Sequence, residues 1–180
     1  MELETLNNYQ EYMKFLSKII RGRDIYFSTN GNGSTVFESE NASYLEKMGM
    51  QNHPDKDHTD RAYLGILSDG EAVYEMQSDR MAEYFYKISD HSTIRLKSIG
   101  GIPIDEGTPI SSISVNNTEY SMNYNGLNLV IYDRETDCVI DSVAISSGEE
   151  GMLNISHRNN PDLIQAYKRA KYNIDRGLGL

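Results

Sequence analysis

Residues 53 to 60, HPDKDHTD, form the densest group of side chains that could do chemistry, with two histidines and three aspartates. Alternating carboxylates bind calcium when a glycine permits the sharp turn between them. The acids here fall at Asp55, Asp57 and Asp60, and no glycine or closing glutamate follows at the required places. The spacing therefore favours a solvated loop over a metal site.

The segment from Thr29 to Thr35, TNGNGST, offers a second type of chemistry. It follows a strand-like run and precedes a helical pattern, and free backbone amides at a helix start bind anions. However, the segment lacks a GK[ST] motif and a third glycine at the dinucleotide spacing, and no parallel-sheet repeat surrounds it. We interpret Gly31 and Gly33 as turn residues and expect no cofactor.

Nucleophilic and acid–base catalysis have little support in this chain. Cys138 is the only cysteine, so an internal disulfide and a cysteine-based zinc site are excluded. Because it lies within an apolar strand-like run, it is typical of a small packed hydrophobe. There is no Ser–His–Asp pattern with a nucleophile turn. A carboxylate pair involving Glu149 and Glu150 stays open, since sequence alone cannot place it. We predict that the protein is not an enzyme.

The length and net charge of the chain limit the classes of partner that it could bind. The chain has 180 residues, which suits a single domain, and a formal net charge of −10. An acidic surface repels the phosphates of nucleic acids and anionic membranes, so we expect neither as a partner. The start, MELETLNNYQ, does not resemble a secretory signal, and no apolar stretch approaches a membrane span. These observations predict a cytoplasmic protein without membrane insertion.

Three helices are predicted to flank or support a core. The first occupies residues 1–21, the second residues 35–48, and the last begins at Pro161, which suits the first turn of a helix. The first helix carries a narrow apolar stripe that either docks on the sheet or forms a coiled-coil seam: Leu6, Tyr9, Met13, Leu16 and Ile20. The last helix has a comparable face, formed by Leu163, Ala166, Tyr167 and Ala170.

The remaining chain reads as strands separated by turns. Residues 78 to 91 fit either a helix or a strand, and a strand over 84–88 is favoured. The other predicted strands cover 24–28, 61–67, 71–76, 92–98, 111–115, 118–121, 127–132 and 138–145. In GLNLVIYDRETDCVIDSVA, residues 126 to 144, both arms are apolar at consecutive positions, so this hairpin should be central and covered on both faces. We predict an α+β fold: a mostly antiparallel core, as two small sheets or one meander, with packed helices.

Three segments of the chain together resemble one known domain family. They are NGLNLVIYDRETDCVIDSVA, GRDIYFSTNGNGSTVFESENASYLEKMG and DRAYLGILSDG. The first is similar to the signature hairpin of the interleukin-like EMT inducer (ILEI) domain family, the second to its strand, loop and helix, and the third to its R-D-x-W strand. Here the hairpin follows the other two segments, which resembles the circularly permuted versions in bacterial polysaccharide-related enzymes. The resemblance covers residues 22–146, with the first helix before it and a loop and last helix, 147–180, after it.

The resemblance implies an antiparallel fold with packed helices and a non-catalytic role, either in secreted signalling or as a sugar-recognising stem. Carried over by motif position, the sugar site of such a stem would comprise Asn125, Asn32 and the pair Asp60 and Arg61, with Tyr63 in place of the tryptophan. The family pattern has an arginine, an aspartate and an arginine-first pair at these positions, so the chain departs from it at each. Judged from the residues alone, the two asparagines are typical of turns and Tyr63 of a core.

Two hypotheses about function follow. The first is a non-catalytic carbohydrate-recognition or accessory module of the ILEI type, linked to polysaccharide biosynthesis. The alternative is a protein-interaction or regulatory module that uses the acidic surface and the terminal helices. Thirteen tyrosines and no tryptophan suit an adaptable contact surface. The expected partner is thus a glycan or a protein, and the sequence leaves the oligomeric state open.

Overall fold

The computed structural model describes residues 3–31, 34–55, 57–58, 60–89, 92–101, 110–148, 152–158 and 160–177. Within them, three helices pack with a ten-stranded, mostly antiparallel sheet that curls into a half-barrel. The predicted α+β class is confirmed. Of the two predicted arrangements, one meander is closer to the observed sheet than two small sheets, because every strand joins one hydrogen-bonded network.

The helices and strands have the following bounds. The α-helices are α1 (Tyr9–Ile19), α2 (Ser39–Lys47) and α3 (Pro161–Asp175), with short 3-10 turns at Leu3–Thr5 and Ser34–Phe37. The strands are β1 (Arg23–Gly31), β2 (Ala62–Ser68), β3 (Glu71–Ser78), β4 (Met81–Lys87), β5 (Thr93–Gly100), β6 (Ile110–Val115), β7 (Thr118–Glu119), β8 (Gly126–Asp133), β9 (Cys138–Ser147) and β10 (Leu153–His157).

The sheet branches at β1. This strand pairs with β8 along almost its whole length, and β8 continues to β9 and β10. It also pairs with β2 from Asp24 to Ser28, and with β5 in parallel at Asn30 and Gly31. The branch that begins with β2 continues to β3, and the branch that begins with β5 carries β4, β6 and β7. The two branches curl toward each other, which creates the inner face of the half-barrel.

Two apolar layers cover the central strands. One lies under α1 and α2 and includes Ile25 and Phe27 of β1; the other fills the inner face and includes Tyr26 of the same strand. Alternation along β1 therefore supplies both layers. All eight residues of β8 are buried. The prediction that the hairpin of β8 and β9 is central and covered on both faces is confirmed.

The apolar stripe of the first helix belongs to the core. Leu6, Tyr9, Met13, Leu16 and Ile20 are each no more than 9% exposed and pack with the helix-side layer. Of the two alternatives, docking on the sheet or a coiled-coil seam, the structure shows docking on the sheet. The helix begins at Tyr9 because the Asn8 side chain accepts a hydrogen bond from the backbone N–H of Glu11, which caps the first turn.

Three predicted elements differ from the structure. The helix predicted over residues 1–21 is a 3-10 turn at Leu3–Thr5 followed by the shorter α1. Residues 153–157 were expected to lie in a loop but form β10, paired antiparallel with β9. The segment LNISH is too short and too polar for its own pattern to predict a strand, and pairing with a long neighbour stabilises it. The helix predicted over residues 35–48 is a 3-10 turn followed by α2, because Glu38 adopts an extended conformation between them. Among the described side chains of α3, none is fully buried.

Candidate functional site

The residues assigned by the resemblance fall at one end of the sheet. Asn32 lies outside the described residues. Asp60 and Arg61 come directly before β2, and Asn125 comes directly before β8. Because β2 and β8 both run antiparallel to β1, these three residues flank the end of β1 from opposite sides. The structure thus brings Asp60, Arg61 and Asn125 to the same region.

Arg61 and Asp60 already have protein partners there. The guanidinium of Arg61 forms an ion pair with Asp79, with 2.7 Å between Nε and Oδ1. The backbone carbonyl of Asp60 accepts a hydrogen bond of 2.9 Å from the N–H of Gly101. Gly100 lies so close to this carbonyl that a side chain could not be accommodated. These contacts hold the start of β2 against the end of β5.

Tyr63 lies in the core. Its side chain is fully buried, its hydroxyl donates to Glu75 Oε1 at 2.8 Å, and its ring meets Phe37 edge to face. Burial, followed by the nearby Glu75 carboxylate, raises the pKa of Tyr63 well above its ordinary value. In this structure no face of the ring is open to a ligand, so Tyr63 does not extend the surface formed by Asp60 and Asn125.

Polar side chains at the end of β1 have a structural role. Asn30, 8% exposed, donates from Nδ2 to the carbonyl and to Oδ1 of Asn123 at 2.7 and 2.8 Å. Thr29 and Ser98 share a hydrogen bond of 2.9 Å where the sheet branches. The side chain of Asn123 also accepts from the N–H of Ser111. Buried backbone groups need such partners wherever regular pairing stops, so these polar residues stabilise the branch.

A different cleft has the composition of a ligand site. It lies on the inner face of the half-barrel, between the branch of β2 and β3 and the strand β4, and encloses about 160 Å³. We call it the tyrosine cleft. Its polar and aromatic lining consists of Asp24, Ser68, Tyr74, Tyr84, Tyr86 and Arg134, and Ile66, Val73 and Ile88 complete the wall.

Three tyrosines form one side of the tyrosine cleft. Tyr74 of β3 and Tyr84 of β4 stack with 3.8 Å between ring centroids, and Tyr86 follows at 6.4 Å from Tyr84 with a nearly parallel ring. The hydroxyl of Tyr74 donates to the sulfur of Met76, a weak acceptor. The hydroxyls of Tyr84 and Tyr86 have no hydrogen-bond partner within the described part of the chain. The wall therefore combines apolar ring surface with free donors.

Asp24 and Arg134 form the polar side. Asp24 is 4% exposed and accepts hydrogen bonds from Ser68 at 2.7 Å and from Tyr26 at 3.2 Å. The Nε of Arg134 lies 3.6 Å from Asp24 Oδ1, and its Nη2 bonds to Asp69. The hydrogen bond to Asp69 raises the pKa of Arg134, so the guanidinium stays charged. The cleft is thus lined by one carboxylate and one guanidinium, and Asp69 balances the guanidinium from outside the lining, so the cleft carries no excess of positive charge.

The tyrosine cleft has the features of a binding site. Its carboxylate is held by a serine, a tyrosine and an arginine, an arrangement that orients acceptors and donors around stacked rings. Among the residues that the structure describes, no group of three or more histidines, cysteines, aspartates or glutamates could hold a metal ion. Sequence reasoning missed the cleft because its residues come from four strands and a turn. The alternation of Tyr84 and Tyr86 was the only local signal.

Comparisons with known proteins assign no function to the chain. No family model, curated protein or solved structure matches the chain. Within the described residues, none of the helices is both long enough and apolar enough to pass through a membrane.

Proposed function

We propose that the chain is a non-catalytic carbohydrate-recognition module that binds one neutral sugar ring in the tyrosine cleft. The observation that carries this proposal is the stack of Tyr74 and Tyr84 beside the buried carboxylate of Asp24. A sugar presents apolar C–H groups on its faces and hydroxyls around its rim. Aromatic surface accommodates the faces, and carboxylate, guanidinium and phenol groups exchange hydrogen bonds with the rim.

The size of the cleft supports a single ring. Pockets for drug-sized ligands enclose roughly 300–1,000 Å³, whereas this one encloses about 160 Å³. A longer glycan would therefore place one residue in the cleft and leave the rest in solvent. The exposed ring of Tyr86 and the exposed side chain of Val73 border the opening and would contact the neighbouring sugar units of the glycan.

The charge of the cleft supports a neutral sugar. Arg134 is already paired with Asp69 and lies near Asp24, so its charge is balanced before a ligand arrives. The whole chain carries a formal net charge of −10. A sugar carboxylate or sulfate would meet the carboxylate of Asp24 and a repulsive overall field. Neutral hexoses and N-acetylhexosamines are the expected class.

The resemblance to the ILEI family remains part of this proposal. The predicted hairpin, and β1 and α2 from the second segment that carries the resemblance, form in the structure. They support an accessory role in bacterial polysaccharide biosynthesis, in which the module holds a glycan for a partner enzyme. We place this role in the cytoplasm, where a lone free cysteine such as Cys138 is in its ordinary setting. The sugar site itself we assign to the tyrosine cleft, because Tyr63 is buried and Arg61 is paired.

A glycan array probed with purified protein tests the proposal. The informative variant is Tyr86→Ala, since Tyr86 is 41% exposed and can be truncated with little effect on the core. The matched control is Tyr172→Ala, which removes a similarly exposed tyrosine from α3. We expect binding of a neutral glycan that falls at least tenfold in Tyr86→Ala and is unchanged in Tyr172→Ala.

A second pair separates the tyrosine cleft from the end of β1. Asn125→Ala is expected to bind as the wild type does. Loss of binding in Asn125→Ala with full binding in Tyr86→Ala would move the site to the position that the resemblance implies. Absence of binding to every glycan, or equal binding by all four proteins, would contradict carbohydrate recognition in the cleft.

A protein-interaction module is the second candidate, supported by two exposed surfaces. Val73 and Phe85, on β3 and β4, are 58% and 65% exposed. The helix α3 contacts chiefly β9 and leaves Tyr172 at the surface. With the stripe of α1 in the core, α3 is the terminal helix left for a partner. Sedimentation of the purified protein would detect self-association, and loss of it in Phe85→Ser or Tyr172→Ser would identify the surface.

A further inference from the structure

A buried polar cluster joins the N-terminal segment to the sheet on the side opposite the tyrosine cleft. His157 of β10 lies between two oxygen atoms: its Nδ1 is 3.2 Å from Asp141 Oδ1, and its Nε2 is 2.9 Å from the backbone carbonyl of Leu6. The side chains of His157 and Asp141 are each 5% exposed. Tyr12 of α1 donates its hydroxyl to the other oxygen of Asp141 at 2.9 Å.

The oxygen atoms in these two contacts are both acceptors. A backbone carbonyl has no proton to donate, and the carboxylate of Asp141 already accepts from Tyr12 and from the N–H of Ser142. A neutral imidazole carries one N–H, so one of its nitrogens would direct a lone pair at an oxygen. Only the imidazolium donates to both. The geometry thus selects the charged ring, which the carboxylate partner compensates in the buried setting.

We propose that His157 is an imidazolium latch that ties the segment from Leu3 to Asn7 to the sheet, and that loss of its proton to solvent releases this segment. The latch has one movable side. Asp141 and His157 lie on paired strands of the sheet, whereas Leu6 lies in the connection between a 3-10 turn and α1. When one N–H is lost, the contact with the rigid strand pair is retained and the contact with Leu6 is the one that opens.

The groups that face the ring set the direction of the pH effect. Asp141 faces it from β9 and Tyr12 from α1, with the two rings 5.7 Å apart and edge to face. Burial, followed by Asp141, raises the pKa of Tyr12 well above its ordinary value, so Tyr12 stays a neutral donor throughout the neutral range. The change in protonation therefore occurs at His157. The segment is therefore held while the ring of His157 is charged and released when a rise in pH removes its proton.

Release would uncover apolar surface. Leu6 and Tyr9 are 5% and 3% exposed and pack into the helix-side layer. Tyr9 is held from its other side by the hydrogen bond from its hydroxyl to the carbonyl of Asn41. Asn8 is held separately by its bridge to Asn154 and by its cap on α1. The expected motion is therefore local opening of residues 3–7, with α1 still docked. Local opening of this kind costs less free energy than global unfolding and is visible in hydrogen exchange.

Nuclear magnetic resonance of the wild-type protein tests the charged state directly. We expect two ring N–H protons on His157 at pH 7.5. The protection factor of the Leu6 amide, which donates to the Leu3 carbonyl, should fall at least fivefold between pH 6 and pH 9, after correction for the intrinsic exchange rate. The Gly101 amide, at the other end of the sheet, should show no such fall.

Three variants test whether His157 causes the pH dependence of Leu6 protection. In His157→Gln the side chain has no titratable proton, so the Leu6 amide should have low, pH-independent protection, while His58→Gln should behave as the wild type does. Asp141→Asn removes the compensating charge and should shift the titration of His157 to lower pH. A single ring proton on His157 at pH 7.5, or Leu6 protection that does not change with pH in the wild type, would overturn the proposal. Both of these results come from the unmodified protein and are independent of whether the variants fold.

Discussion

Tyr74 and Tyr84 stack with 3.8 Å between their ring centroids although their strands, β3 and β4, are not hydrogen-bonded neighbours. Each strand ends a different branch of the sheet that divides at β1. The stack therefore joins the two branches across the opening of the half-barrel. The same two rings form a wall of the tyrosine cleft, so the contact that closes the curl is also the one that shapes the candidate site.

Removing one ring of the stack should weaken the fold measurably. We expect Tyr74→Ala to lower the free energy of unfolding by about 1–3 kcal/mol, from lost apolar burial and about 0.5–1.5 kcal/mol of ring stacking. Tyr74→Phe keeps the ring and should lie within about 0.5 kcal/mol of the wild type. Urea denaturation measures both. Equal losses in the two variants would show that the hydroxyl contact with the Met76 sulfur, rather than the stack, supports the closure.

A glycine at the start of the central hairpin should be irreplaceable. Gly126 has a φ of +114°, and a Cβ there would overlap the carbonyl oxygen of Ile145 on the paired strand. We expect Gly126→Ala to destabilise through backbone strain and overpacking, each about 1–3 kcal/mol. The matched control is Gly22→Ala, where φ is +74° and no atom lies within 4 Å of the added Cβ. Thermal unfolding that ranks the two variants equally would contradict the steric argument.

The elements with regular local patterns were the predictable part of this fold. The stripe from Leu6 to Ile20 and the paired apolar runs of β8 and β9 each fill a buried surface, so their hydrophobic spacing is visible in the chain. The division of the sheet at β1 has no such signature, because it depends on Asn30 and Thr29 finding partners on distant segments. β10 was missed for a related reason, since only its neighbour makes it a strand.

The candidate site was less predictable than the fold. The resemblance and the asparagine-rich turns directed attention to the end of β1, where Asp60 and Arg61 do lie near Asn125. Side-chain burial and pairing could not be read from the sequence, and they remove Tyr63 from that surface. The tyrosine cleft depends on the approach of Asp24, on β1, to Arg134, in the turn after β8, which requires the register of β1 and β8 to be known.

Buried tyrosines should make the fold sensitive to alkali. Burial raises the pKa of Tyr9, Tyr12, Tyr26, Tyr63 and Tyr132 above the ordinary value of 10.0. The unfolded chain therefore loses these protons at lower pH than the folded chain does, and stability falls as the pH rises above about 10. Phenolate absorbance near pH 11 should be lower for the folded protein than for the chain in urea. Coincident titration curves would contradict this burial.

Cys138 should react slowly with alkylating reagents. The side chain is half-buried, and burial raises the pKa of its thiol above the ordinary 9.0. The thiolate is the reactive form, so its fraction at neutral pH is reduced. We expect iodoacetamide to modify the folded protein at least tenfold more slowly than the urea-unfolded chain at pH 7.5, and the difference to persist at pH 8.5. Equal rates would indicate an accessible thiol of ordinary acidity and would reopen a chemical role for Cys138.

Tyr63→Phe distinguishes a structural tyrosine from a ligand contact. The hydroxyl of Tyr63 donates to Glu75, whose carboxylate also accepts from the N–H groups of Gln51 and Asn52. Removing a hydrogen bond to a charged group costs about 1.5–3 kcal/mol, and the two remaining donors should keep the loss near the lower end. Chemical denaturation should detect this decrease, while glycan binding should be unchanged because the ring is buried. Unchanged stability together with weaker glycan binding would place the hydroxyl in a ligand site and favour the end of β1 over the tyrosine cleft.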